Sequence, residues 1–334
     1  MPSNATIAPR RVTSSDVARE AGVSRATVGF VLNRTPGQTI SAETQERVTS
    51  AAARLGYRPN ESARRLARGS TRIVLMVLPD WPLEHSMQRN IDAATAMLER
   101  AGYTLVTFTP HGSAARPLWE TLSPDVVIGM TPFTDEQIQS MRTSGVLHIV
   151  PDVGAKEAPD SHPAYNRGPR LQVQHLHALG HRRIGFAATA DARLQGLQAT
   201  RLNEAVVAAA ELGIEIGPVE TIAVDAHAAL AAWREAGCTA VSAYNDEVAA
   251  VVVRTALSEG LTVPGDLAVI GHDGSPLAKL FYPALSTIEV DYEALGRYSA
   301  QIALAAIGDM PEPSEPDQVL TLVARDSTVP VTDA

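Results

Sequence analysis

Over residues 12–56 the apolar positions follow a helical period, whereas from about Ile73 short unbroken apolar runs alternate with amphipathic stretches. The first pattern predicts three short helices. Val17, Ala18 and Ala21 share one face of the first helix, Thr13 is placed to cap it, and Asp16 completes a capping box three residues on. Gly22 supplies the turn, Val23 fills the gap behind it, and Ser24 caps a second helix. In that helix Val28, Val31 and Leu32 point inward, which leaves Arg25, Ala26 and Phe30 outside. A third helix starts at Ser41, buries Val48, Ala51, Ala52 and Leu55, and stops at Gly56.

The second pattern predicts buried parallel strands between helices. The runs IVLMVL (73–78), TLVTF (104–108), VVIGM (126–130), VLHIV (146–150), IGFAA (184–188), AVSAY (240–244) and LAVIG (267–271) lack polar alternation, as expected of strands covered on both faces. Segments such as MQRNIDAATAMLERAG supply the covering helices, so the fold class is α/β with doubly wound parallel sheets. Proline and glycine near residues 159–169 suggest a break between two lobes. Sheets of this kind bind ligands beyond the carboxyl ends of their strands. There the sequence offers Asp80 and Trp81, Pro132 and Phe133, Asp152, Asn245 with Asp246, and His272 with Asp273, a mixed polar and aromatic set suited to a small polar molecule. Each also has a local explanation: Asn245 and Asp246 as helix caps, Asp273 in an Asx turn, Trp81 in a core.

Two helices joined by a Gly-containing turn are the geometry of a helix-turn-helix, whose second helix presents its N-terminal side chains to base edges in the major groove. Ser24, Arg25, Ala26 and Thr27, with Phe30, are the candidates for that contact. An ordinary helical hairpin is the alternative. Charge favours DNA: residues 1–72 hold 12 Arg and 5 acidic residues, a net of +7, while the rest of the chain carries 16 basic against 32 acidic residues, a net of −16. The basic module is drawn to phosphate and the acidic body is repelled by it. Lys occurs only at positions 156 and 279, and Arg, unlike Lys, can fork onto guanine.

Other chemistries find little support. The turn after the first strand reads LPDWPLEH, without the glycines that cradle a dinucleotide phosphate, so no cofactor is expected. His175 and His177, two apart on a helix, face away from each other, and His181 follows Gly180, so no metal is expected. Cys238 is the only cysteine, and neither it nor Ser299 has a base nearby in sequence. The N-terminal MPSNATIAPRR lacks the apolar core of a signal peptide, and no apolar run approaches the roughly 18 residues of a membrane span. The expected location is the cytoplasm.

At this point the chain resembles the LacI/GalR family of bacterial transcriptional repressors. The resemblance rests on DVAREAGVSRATV, SAETQERVTSAAARLGYRPN, the hinge-like PNESARRLARG, HLHALGHRRIGF, YNDEVA, VPGDLAVIGHDGSP followed by PALSTIEVD, and the late LVARDST. It implies a helix-turn-helix domain over 1–58, a hinge helix and linker over 59–70, and a periplasmic-binding-protein-like core over 71–334. Three interlobe crossings, near 160, 290 and 318, would give a first lobe of about 71–160 and 291–318 and a second of about 161–290 and 319–334. It also implies a homodimer on a pseudo-palindromic operator, controlled by a small polar metabolite, such as a sugar, held between the lobes.

By position, Arg25, Ala26 and Phe30 match the family's base readers. Leu66 matches the leucine that wedges into the minor groove, Asn60 caps the hinge helix, and Ala63 and Arg64 lie on it. Asp273 and the Asn245–Asp246 pair match ligand contacts. The chain departs from the pattern at Gly29-Phe30, where the family has Ser-Arg. It departs again at the ligand-binding arginine, where QATRLNEAV places Gln198, with Arg193 a less natural match. No heptad repeat follows ARDST, so the expected assembly is a dimer. A solute-binding protein and a two-lobed α/β enzyme are the readings of other classes.

Overall fold

In a computed structural model of the chain, residues 12–32, 38–57, 70–111, 116–151 and 167–329 are described. The hinge positions Asn60, Ala63, Arg64 and Leu66 and the candidate ligand residue Asp152 lie outside them. The chain divides between Thr71 and Arg72 into two compact units.

The first unit contains α1 (Ser14–Ala21), α2 (Arg25–Leu32) and α3 (Ala42–Arg54). Its caps are those the sequence pattern predicts. The Thr13 hydroxyl accepts the amide of Asp16 while the Asp16 carboxylate takes the Thr13 amide at 2.9 Å. Gly22 ends α1 at φ +65°, a conformation that favours glycine, and the Ser24 hydroxyl accepts the amide of Thr27 at 3.1 Å. Val17, Ala21, Val28, Val48 and Ala51 form the core, with Val23, Val31, Leu32 and Leu55 packed against it. Helices this short are marginal alone, so this small core holds them.

The second unit contains two sheets. The first, in the order β2-β1-β3-β4, is wholly parallel and is built from β1 (Ile73–Val77), β2 (Thr104–Phe108), β3 (Val126–Gly129) and β4 (His148–Val150). Helices α4 (His85–Arg100), α5 (Leu118–Leu122) and α6 (Asp135–Thr143) belong to this first lobe. The second sheet, in the order β10-β9-β8-β7-β5-β6, comprises β5 (Arg183–Thr189), β6 (Glu215–Ile222), β7 (Ala240–Ala243), β8 (Ala268–Asp273), β9 (Ser286–Val290) and β10 (Leu320–Val323). All its pairs are parallel except β9 with β10. Its helices are α7 (Gly168–Ala178), α8 (Gln195–Glu211), α9 (His227–Glu235), α10 (Asp246–Ser258) and α11 (Pro276–Leu280).

The chain leaves the second sheet at Val290 to form α12 (Tyr292–Ala306), which packs along α4 of the first lobe, and returns as β10. The contact of α12 with α4 needs Gly296, where a Cβ would stand 2.1 Å from the carbonyl oxygen of Asn90. Fully buried strands explain the unbroken apolar runs: β1, β3 and β7 expose no residue. Three strands are absent from the sequence reading. β6 contains Gly217 and Pro218, which an edge strand tolerates; β10 is an edge strand with exposed positions, and β9 (STIEV) carries three polar residues in five, so it forms no unbroken apolar run.

Candidate nucleic-acid interface and ligand cleft

In the first unit the residues at the start of α2 face solvent. Ser24, Arg25 and Ala26 are exposed and Thr27 is half-buried. Thr27 and Ser24 share a hydroxyl contact of 2.9 Å, and Arg25 Nε lies 3.2 Å from the hydroxyl of Ser14 on α1, so the guanidinium is steered along the surface between the helices. Phe30 is half-buried and lies outside the apolar cluster of this unit, on the same side of α2 as Ala26, four residues earlier. These side chains form a largely exposed surface with one cation, the set a helix needs to read base edges.

In the second unit a cleft opens between the lobes. Trp81, Glu84, Met87 and Met130 line it from the first lobe, Leu194, Leu197, Arg201, Tyr244 and Asp273 from the second, and Tyr292 from the crossing. Asp273 ends β8 with φ at +88°, a strained value for a residue with a side chain. Its carboxylate is the centre of a buried network. Arg201 donates to both oxygens, at 2.8 and 3.3 Å, and Tyr292 and His272 Nδ1 donate to Oδ1 at 2.7 and 2.6 Å. Arg201 also donates to the carbonyl of Tyr244 at 2.7 Å and stacks 4.6 Å from the centroid of that ring.

Burial opposes charge on Asp273, yet Arg201 and His272 hold its pKa well below the carboxylate range. Burial likewise opposes charge on Arg201, and Asp273 more than offsets it, so the guanidinium pKa is raised. His272 is driven the other way, first by burial and then by Arg201. Its ring abuts α7 so closely that a Cβ on Gly168 would stand 1.8 Å from Nε2.

The sequence candidates distribute unevenly around this cleft. Trp81 and Asp273 line it. Gln198, at the place of the expected arginine, instead accepts the amide of Thr189 at 2.7 Å and is not part of the lining. Arg193 forms an exposed fork with Asp191. Arg201, three residues beyond Gln198, is the guanidinium in the cleft. Asn245 accepts the amide of Val248 at 2.9 Å as the cap of α10. Asp246, fully buried, accepts the amide of Ser275 at 2.6 Å, and His272 serves Asp273 from behind. Phe133 packs with the core of the first lobe, against Gly129, and Asp80 is exposed, 3.8 Å from His111. The histidines set aside as metal ligands bond to hydroxyls, His175 to Thr328 at 2.9 Å and His181 to Thr239 at 2.8 Å.

Glu84, at the head of α4, is a cleft residue that the sequence reading missed. Its pKa is pushed up to about 7, by burial first and then by the carboxylates of Asp273 and Glu247; Arg201 and Asn245 act in the opposite sense. A carboxyl with a raised pKa binds its proton more tightly folded than unfolded, so it costs stability increasingly as pH rises from about 4.5 to about 7. Glu84→Gln is therefore expected to stabilise the core at pH 8 and to lose that advantage by about pH 5. Chemical denaturation at the two pH values measures the difference, and an advantage that grows on acidification would contradict the assignment.

Comparison with known proteins finds a family match in each unit. Residues 13–60 match the family model described as "Bacterial regulatory proteins, lacI family", and residues 173–328 match a periplasmic binding protein-like domain. The chain is 32% identical over 337 residues to the HTH-type transcriptional regulator MalR of Streptomyces coelicolor, covering 94% of this chain and 96% of that protein. Among solved structures, it is similar to the lac repressor dimer bound to operator and the anti-inducer ONPF, with 24% identity, a TM-score of 0.76 and coverage of 96% and 100%. A complex of the transcriptional regulator CelR with cellobiose is similar at 25% identity and a TM-score of 0.60, covering 95% and 100%.

Proposed function

The chain belongs to the lacI family of bacterial regulatory proteins, DNA-binding regulators of transcription, and we propose that it is a repressor that binds a pseudo-palindromic operator as a homodimer. The observation that carries this reading is the exposed start of α2, with Arg25 free of any carboxylate among the described residues, in a module, Met1–Thr71, whose 11 Arg and 5 acidic residues give a net charge of +6. A bidentate contact from Arg25 to guanine contributes about 1–3 kcal/mol of base discrimination. Arg25→Ala is therefore expected to relax specificity at one symmetric operator position. A binding-site selection experiment measures it, and an unchanged site preference would remove Arg25 from base reading.

The dimer is supported by an apolar surface on the second lobe. Leu277, Leu280 and Tyr282 follow one another on and after α11 with 45%, 82% and 87% exposure. α11 packs on α10, which carries the exposed Leu257 and whose Arg254 donates to the carbonyl of the exposed Val224. Exposed apolar side chains gathered on neighbouring helices are what a subunit interface covers.

The interlobe cleft supports a small-molecule effector. It holds aromatic walls and convergent charged groups at the strand ends, the arrangement of a site for a small polar metabolite. The similar solved structures were obtained with an anti-inducer in one case and a disaccharide in the other, and a sugar is the first class to test here. A thermal-shift screen of metabolites identifies the effector, because a ligand that binds only the folded state raises the melting temperature. We read the protein as cytoplasmic and non-catalytic; no helix among the described residues is long and apolar enough to cross a membrane.

A further inference from the structure

The two lobes share one ring. Trp81 stands in the loop between β1 and α4, with Pro79 and Pro82 on either side restricting the backbone that carries it. Its side chain packs against the cluster of the first lobe that contains Met87 and Met130, and also against the cluster of the second lobe that contains Leu194 and Tyr244. Among the described residues, no other half-buried apolar side chain is packed against both clusters. Beneath it the Asp273 carboxylate is paired within the cleft, while the buried Nε of Arg201 has no partner among the described residues. Asp273 receives Arg201, Tyr292 and His272, and both terminal nitrogens of Arg201 are engaged. The space left to water-sized molecules is about 50 Å³, room for about four waters at roughly 10–15 Å³ each. That is well below the roughly 300–1,000 Å³ of ordinary small-molecule pockets.

We propose that Trp81 is the resident occupant of the cleft: its indole takes the place a ligand would take and holds the lobes together in the ligand's absence. The inference rests on the reading of the cleft as the effector site. A ligand then enters by displacing the ring, and its apparent affinity is reduced by the fraction of molecules in which the ring is already out. The ring is thus a positioning residue for the lobes and sets a threshold of ligand concentration.

The test uses the full chain, Trp81→Gly, and indole as the probe. The glycine variant is expected to melt about 5–10 °C below the parent and to have a larger radius of gyration by small-angle scattering. Millimolar indole should restore most of both losses in the variant and leave the parent unchanged. A variant with the parental melting temperature and radius, or a loss that indole does not recover, overturns the proposal. Should the glycine variant fail to fold, Trp81→Leu takes its place in the scattering measurement, where an unchanged radius overturns the proposal and an increase supports it. Failure here is separable from failure of the effector reading. Indole rescue without any metabolite that binds the parent supports the ring's role and removes the effector; a metabolite that stabilises the parent without indole rescue of the variant does the reverse.

Discussion

Replacing Arg201 with leucine is expected to destabilise the two-lobed unit by about 3–5 kcal/mol, the usual consequence of removing one partner from a buried ion pair. Arg201 and Asp273 are 3% and about 9% exposed, and the arginine supplies two of the hydrogen bonds to that carboxylate. Without it the Asp273 charge stays buried with only His272 and Tyr292 as donors. The double replacement Arg201→Leu with Asp273→Leu should lose less than the single one, because no uncompensated charge remains. Acid gives a second check. The folded pKa of Asp273 is depressed, so its contribution is present above the ordinary carboxylate value near 3.9 and is lost as pH falls further. The gap between parent and Arg201→Leu should therefore hold from pH 7 to pH 5 and narrow below about pH 4. Urea melts at these pH values decide it; a double variant as unstable as the single one would show that packing, not charge, sets the loss.

What the sequence made legible follows from the range of the interactions involved. The caps at Thr13 and Ser24 are contacts over three residues, and they stand in the structure where local spacing puts them. The apolar runs read as strands because both faces of these sheets are covered. The cleft was less legible. Strand ends point to a region, and side chains at those ends divide between facing the ligand space and supporting the fold behind it. Asn245 and Asp246 went to the second role through the amides of Val248 and Ser275. Arg201 escaped notice because a charge on an amphipathic helix is ordinarily solvated. A signal was nonetheless present: Arg201, Ala205 and Ala208 recur at the spacing of one buried helix face, which puts a guanidinium on the inside of α8. Glu84 gave no comparable signal, since its environment comes from Asp273 and Glu247, distant in sequence.

The second large effect concerns assembly. On the proposed dimer, Leu280→Asp combined with Tyr282→Asp is expected to leave the protein a monomer of 35.4 kDa. Both side chains are more than four-fifths exposed, so within one subunit the replacements remove little packing and the fold should survive; across a self-complementary interface each charge is buried twice. The consequence for DNA is larger than that for mass. Two linked modules gain affinity because the second contact is intramolecular, an advantage of about 10²–10⁴ that a monomer forfeits. Operator affinity should fall by that factor while the salt-dependent binding of a single basic module to non-specific DNA stays near its parental value per subunit. Sedimentation and operator titration read the two outcomes separately. If the variant still sediments as a dimer, the interface lies elsewhere on the chain; if it is monomeric yet binds operator as tightly as the parent, one subunit suffices and the palindromic reading is wrong.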